Sequence, residues 1–120
     1  MATTQTLTPI VAAGTSVPAS GSVGPTAVST SGVYAAQVYV SIANGSTAPT
    51  AGCVATVQAS PDGGTTYYLV GQLYGTTAAS TTSTAVIDIP TGATEVNVTF
   101  SGNTGSAVTV EAQLGAVTAI

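Results

Sequence analysis

Two stretches decide the fold: Glu95-Val96-Asn97-Val98-Thr99-Phe100 and Val108-Thr109-Val110-Glu111-Ala112-Gln113-Leu114. In each, large apolar residues alternate with polar ones. A period of two places every second side chain on one face, as a half-buried antiparallel strand requires. Gly102-Asn103-Thr104-Gly105 between them holds turn-forming residues and predicts a hairpin connection.

Working outward, Ala85-Val86-Ile87-Asp88-Ile89 predicts a strand closed by Pro90-Thr91-Gly92. Ala36, Val38, Val40 and Ile42 form one face of a longer strand ending at Asn44-Gly45. Cys53 to Gln58 and Thr66 to Val70 flank a turn at Pro61-Asp62-Gly63-Gly64, and a further strand is expected near Thr6 to Val11. About seven strands at this spacing predict an all-β, antiparallel two-sheet sandwich, with Ig-like and jelly-roll topologies both open. The expected core is Val38, Val40, Ile42, Val57, Ile87, Ile89, Val96, Val98, Phe100, Val108, Val110 and Leu114. No stretch repeats at helical spacing.

Residues 1–32 read as an N-terminal strand and extended arm, and 33–120 as the sandwich domain. From 14 to 32, Gly14, Pro18, Gly21, Gly24, Pro25 and Gly32 sit among small polar residues, which gives either a flexible linker or an ordered arm packed on the sandwich or a neighbour. Thr76 to Thr84 is a second low-complexity loop, expected at a sandwich end.

Charge excludes more functions than any motif suggests. Among 120 residues there is no Lys, Arg or His, and the acids are Asp62, Asp88, Glu95 and Glu111. Charged residues are 3% of the chain, against an ordinary share of about a quarter. Without cationic side chains there is no counterion-releasing contact to nucleic acid and no polybasic membrane patch. Histidine catalysis, lysine Schiff bases and histidine-ligated metals are equally unavailable. The chain is 44% hydrophobic, unlike a disordered segment, and polar residues interrupt every apolar run that might span a membrane. Met1-Ala2-Thr3-Thr4-Gln5 lacks the features of a secretory signal, so synthesis in a cytoplasm without export is expected.

The remaining chemistry is sparse, and no catalytic, cofactor-binding or metal-binding residue is expected. Asp88 and Glu95 flank the Pro90-to-Thr94 turn and are placed to approach across a hairpin. A carboxylate pair alone, without a tryptophan platform or a cation, is poor support for a glycosidase. The scattered acids do not suggest a calcium site. Cys53, the only cysteine, is expected to pack as a small hydrophobe. The sequons at Asn44 and Asn97 are read as chance. Of Tyr34, Tyr39, Tyr67, Tyr68 and Tyr74, two or three are expected in the core and the others at interfaces or against sugars.

Ser60-Pro61-Asp62-Gly63-Gly64-Thr65-Thr66-Tyr67 resembles an Asp-box, with Tyr67 in place of tryptophan. A single copy supports a structural turn and not a propeller. The Ser60–Tyr68 hairpin in a short chain rich in Thr, Ala, Gly and Val also resembles small tailed-phage virion proteins, above all capsid decoration, or cement, proteins. That resemblance implies a non-enzymatic β-domain on the capsid exterior of the virion, often a trimer, bridging subunits of the major capsid protein. A phage tail, collar or fibre subunit and a carbohydrate-binding or adhesin module are the alternatives. An uncharged surface of this kind calls for covering by other chains, because β-proteins ordinarily guard sheet edges with charge.

Overall fold

The computed structural model describes residues 4–119. Eight strands run through it: β1 (Thr4–Val17), β2 (Ser22–Ser29), β3 (Ala35–Asn44), β4 (Val54–Ser60), β5 (Tyr68–Tyr74), β6 (Thr82–Ile89), β7 (Glu95–Ser101) and β8 (Val108–Ala119). They form two four-stranded sheets, a first sheet ordered β1-β8-β3-β6 and a second ordered β2-β7-β4-β5. All the pairings are antiparallel. Every connection except β4–β5 carries the chain from one sheet to the other. Eight strands wound in this order form a jelly roll, which selects between the two topologies left open by the sequence.

The alternating residues become the core as expected, with Val38, Val40 and Ile42 of β3 and Val108, Val110 and Leu114 of β8 facing Val57 of β4 and Val96, Val98 and Phe100 of β7. Ile89 is also buried, whereas Ile87 is only partly so. Ile87 lies on edge strand β6, where the sheets are bridged by Gly71 of β5; a Cβ built on Gly71 would sit 3.1 Å from Ile87 Cγ2. Ile87 thus fills the space that a side chain at 71 would take, and its exposure comes from the edge, where no further strand flanks β6.

Three expectations are corrected by the topology. The Gly102–Gly105 turn is not a hairpin, because β7 and β8 lie in different sheets; Thr104 instead bridges to Ala51. Asp88 and Glu95 do not face each other, since β6 and β7 are also split between sheets. Asp88 pairs with Gln37, and Glu95 pairs with Ser29 and Ser60. No tyrosine enters the core: Tyr34, Tyr68 and Tyr74 are exposed and Tyr39 and Tyr67 half-buried. A core lined by Val and Ala has room for the phenyl ring of Phe100 but offers no partner to a phenol hydroxyl.

The N-terminal segment supplies strands to both sheets. β1 pairs along β8 and buries Ile10, Val11 and Val17, while β2 pairs along β7. Its described residues thus pack on the sandwich as edge strands of the two sheets; residues 1–3 lie outside the described residues. β2 escapes a sequence reading because Gly24 and Pro25 interrupt its alternation at a bulge between Val23 and Thr26.

Candidate functional site

The Asp-box-like stretch forms the turn between β4 and β5 and is held by its own polar groups. Ser60 Oγ, fully buried, donates to Asp62 Oδ1 at 2.6 Å and accepts from the Gly64 N–H at 2.9 Å. Asp62 Oδ1 also accepts from the Thr66 N–H at 2.9 Å. These bonds stabilise the charged carboxylate, and they hold Asp62 below its ordinary pKa, the Ser60 hydroxyl contributing most. Tyr67 donates its hydroxyl to Glu95 Oε1 at 3.1 Å, tying the turn to β7. Burial, then the Glu95 bond and charge, push the Tyr67 phenol up. The Ser60 hydroxyl, Asp62 Oδ1 and the Tyr67 hydroxyl are all engaged in holding the turn, which is an architectural role.

Asp88 stands on the outer face of the first sheet, where Gln37 Nε2 donates to its Oδ1 at 2.8 Å. Glu95 is in the second sheet, and Glu111 in β8 faces Ser41. Among the described residues no three metal-ligating side chains come together, and no helix is long and apolar enough to cross a membrane. Cys53 is fully buried, and desolvation pushes its thiol up despite bonds to the backbone of Val54 and Ser101. Asn44 and Asn97, the two sequon asparagines, are both buried, which removes them from the surface where glycan addition occurs.

The sheet edges are the unusual feature. β1 carries Pro9 and several register shifts, and β2 carries Pro25 and its bulge; these devices discourage further pairing. β6 carries Asp88. β5, Tyr68-Leu69-Val70-Gly71-Gln72-Leu73-Tyr74, has neither charge nor proline and pairs only with β4. Tyr68, Leu69 and Tyr74 on it are each more than 60% exposed. Beside it, a groove of about 590 Å³ runs under Tyr68 and Leu69 to Pro90 and Ala93, between the β4–β5 and β6–β7 turns. Sequence reasoning noted these tyrosines but had no signal that β5 is an edge.

The chain matches no protein-family model and no curated protein sequence. Its fold is shared with solved structures. A structure of Bacillus endospore appendages, which form a family of disulfide-linked pili, aligns over all of this chain and 93% of its own, with TM-score 0.53 and 14% identity. The SPBc2 prophage-derived protein YomS aligns over 96% of each chain, with TM-score 0.51 and 18% identity. A family 16 carbohydrate-binding module aligns over 82% of this chain and 71% of its own, with TM-score 0.50 and 16% identity. At these identities the likeness is one of fold: an all-β sandwich of two antiparallel sheets.

Proposed function

We propose that this chain is a non-enzymatic structural subunit of a phage particle, a decoration protein that binds the exterior of the head and bridges subunits of the major capsid protein, itself as a homo-oligomer. The observation that carries this reading is β5, a sheet edge without charge or proline that displays Tyr68, Leu69 and Tyr74 beside an apolar groove. Such an edge in a free monomer is an invitation to pair with any available strand. Covering it with another chain satisfies its backbone groups by strand addition and removes apolar surface from water.

The chemistry of attachment follows from composition. With no cationic side chain the protein brings only acids to a salt bridge, so holding energy comes from apolar burial, backbone hydrogen bonds and multivalency. Attachment of this kind depends weakly on ionic strength, because screening acts on exposed charge pairs.

The test is quantification of the chain in separated heads and tails of purified particles, followed by washing the heads in low and then about 1 M sodium chloride. The expected result is many copies per head, retained at both salt levels, with shells less stable when the protein is missing. Confinement to the tail or a fibre would replace this reading with a tail subunit. Rapid loss at moderate salt would overturn the attachment chemistry.

A further inference from the structure

On the first sheet, away from β5, the outer face forms a trough with Tyr39 at its centre. A Cβ built on Gly115 would lie 2.7 Å from Tyr39 Cε2, so the absence of a side chain at 115 is what lets the phenol ring lie down across β8. The ring is also tethered. Its hydroxyl donates to Gln37 Oε1 at 3.0 Å, and Gln37 Nε2 donates to Asp88 Oδ1 at 2.8 Å, a relay spanning β3 and β6. Depressions of about 380 and 530 Å³ adjoin the ring, the first against Gln113 and the second against Glu111.

From this arrangement we infer that the outer face of the first sheet binds a neutral glycan, with Tyr39 as its stacking platform. A sugar ring has an apolar C–H face and a rim of hydroxyls. The first matches a preorganised aromatic face, and the second matches amide and carboxylate groups that accept hydrogen bonds. Gln113 and Glu111 provide such groups around one aromatic ring. Charge selects among glycans. Glu111 borders the ring and Asp88 is tied to it through Gln37, and the chain has no Lys, Arg or His to meet a uronate or sialate carboxylate, so acidic sugars are repelled. The same charge excludes nucleic acid. This inference goes beyond the shell-binding role and does not rest on it: Tyr39, Gln113 and Glu111 line no part of the groove beside β5.

The experiment is native affinity electrophoresis of the full chain in gels containing a neutral glucan, mannan, galactan or xylan, with alginate as the acidic comparison. At least one neutral polymer is expected to retard the protein and alginate to leave it unretarded. Tyr39→Ala is expected to weaken retardation about tenfold or more, a loss of some 1.4 kcal/mol, and Gln58→Ala on the outer face of the other sheet to leave it unchanged. Should Tyr39→Ala fail to fold, as thermal melting will reveal, Gln113→Ala at the trough wall takes its place, with several-fold weakening expected. No retardation by any of the neutral polymers, stronger retardation by alginate, or retardation indifferent to the trough substitutions overturns the inference. None of these results bears on whether the protein is found on heads.

Discussion

Asn103 Nδ2 donates to the carbonyl oxygen of Val17 at 3.1 Å, joining the β7–β8 connection to the end of β1. The same amide reaches Pro18 O at 3.2 Å and Ser106 O at 3.0 Å, from a side chain with no exposed surface. One asparagine thus fastens the place where the chain crosses between sheets. Asn44 does the same for the β5–β6 connection at the same end of the sandwich, donating from the close of β3 to Thr76 O and Ala78 O.

Replacing Asn103 therefore destabilises the sandwich without touching its apolar core. Asn103→Ala is expected to cost about 1–3 kcal/mol, because the buried carbonyls lose their donor. Asn103→Asp is expected to cost more, since a carboxylate would face three carbonyl oxygens. Urea midpoints of the two variants against the parent give the comparison, and a midpoint unchanged in Asn103→Asp contradicts it.

Truncation of residues 1–29 is expected to abolish cooperative unfolding. It removes β1 and β2, one edge of each sheet, and strips the cover from Val110 and Val98, to which Thr15 and Thr26 are paired. Burial of Ile10, Val11 and Val17 alone represents several kcal/mol at about 1.5–3 kcal/mol per side chain. A truncated protein that still melts sharply, as seen by circular dichroism, would return this segment to the status of an arm.

Phe100→Ala tests the centre of the core. Phe100 is fully buried and is the chain's one phenylalanine, and its loss is expected to cost about 3–5 kcal/mol. Val86→Ala, at an exposed position on β6, is expected to cost little. Denaturant titration of both variants separates the two faces of the sandwich.

Acid should loosen the β4–β5 turn through Asp62. Its carboxyl is held below the ordinary value by the Ser60 hydroxyl and the Thr66 N–H, so the native state favours the ionised form. That contribution is complete above the ordinary carboxylate value of about 3.9 and fades as pH falls through the lower native value. Asp62→Asn is expected to flatten the acid limb of a stability–pH curve and leave the neutral region level. Tyr67 acts at the other extreme. Its raised native pKa contributes stability that is present below the ordinary phenol value and lost as pH rises through the native one.

Cys53 is expected to be inert toward Ellman's reagent in the folded protein and to react fully in denaturant. It is fully buried with its thiol pushed up, and the thiolate is the reacting form. Fast reaction without denaturant would mean that the β3–β4 connection opens readily.

The sequence by itself determined that the chain is all-β, where most strands run, and which side of each strand faces inward. Alternation is a local property, and the buried face of Val96, Val98 and Phe100 follows from it whatever strand lies alongside. It also determined what the surface lacks, because composition survives folding. Partnership was decided only by the tertiary structure. Alternation is silent on whether the residues after Ser101 turn back or cross the core, so Gly102–Gly105 read as a hairpin and Asp88 and Glu95 as neighbours. Those choices rest on contacts distant in sequence, such as Asn103 with Val17 and β3 with β8. The same holds for both candidate surfaces. Tyr39 lies flat because Gly115 sits beside it across a strand pair separated by about seventy residues, and β5 is an open edge because no other strand of the second sheet returns to it.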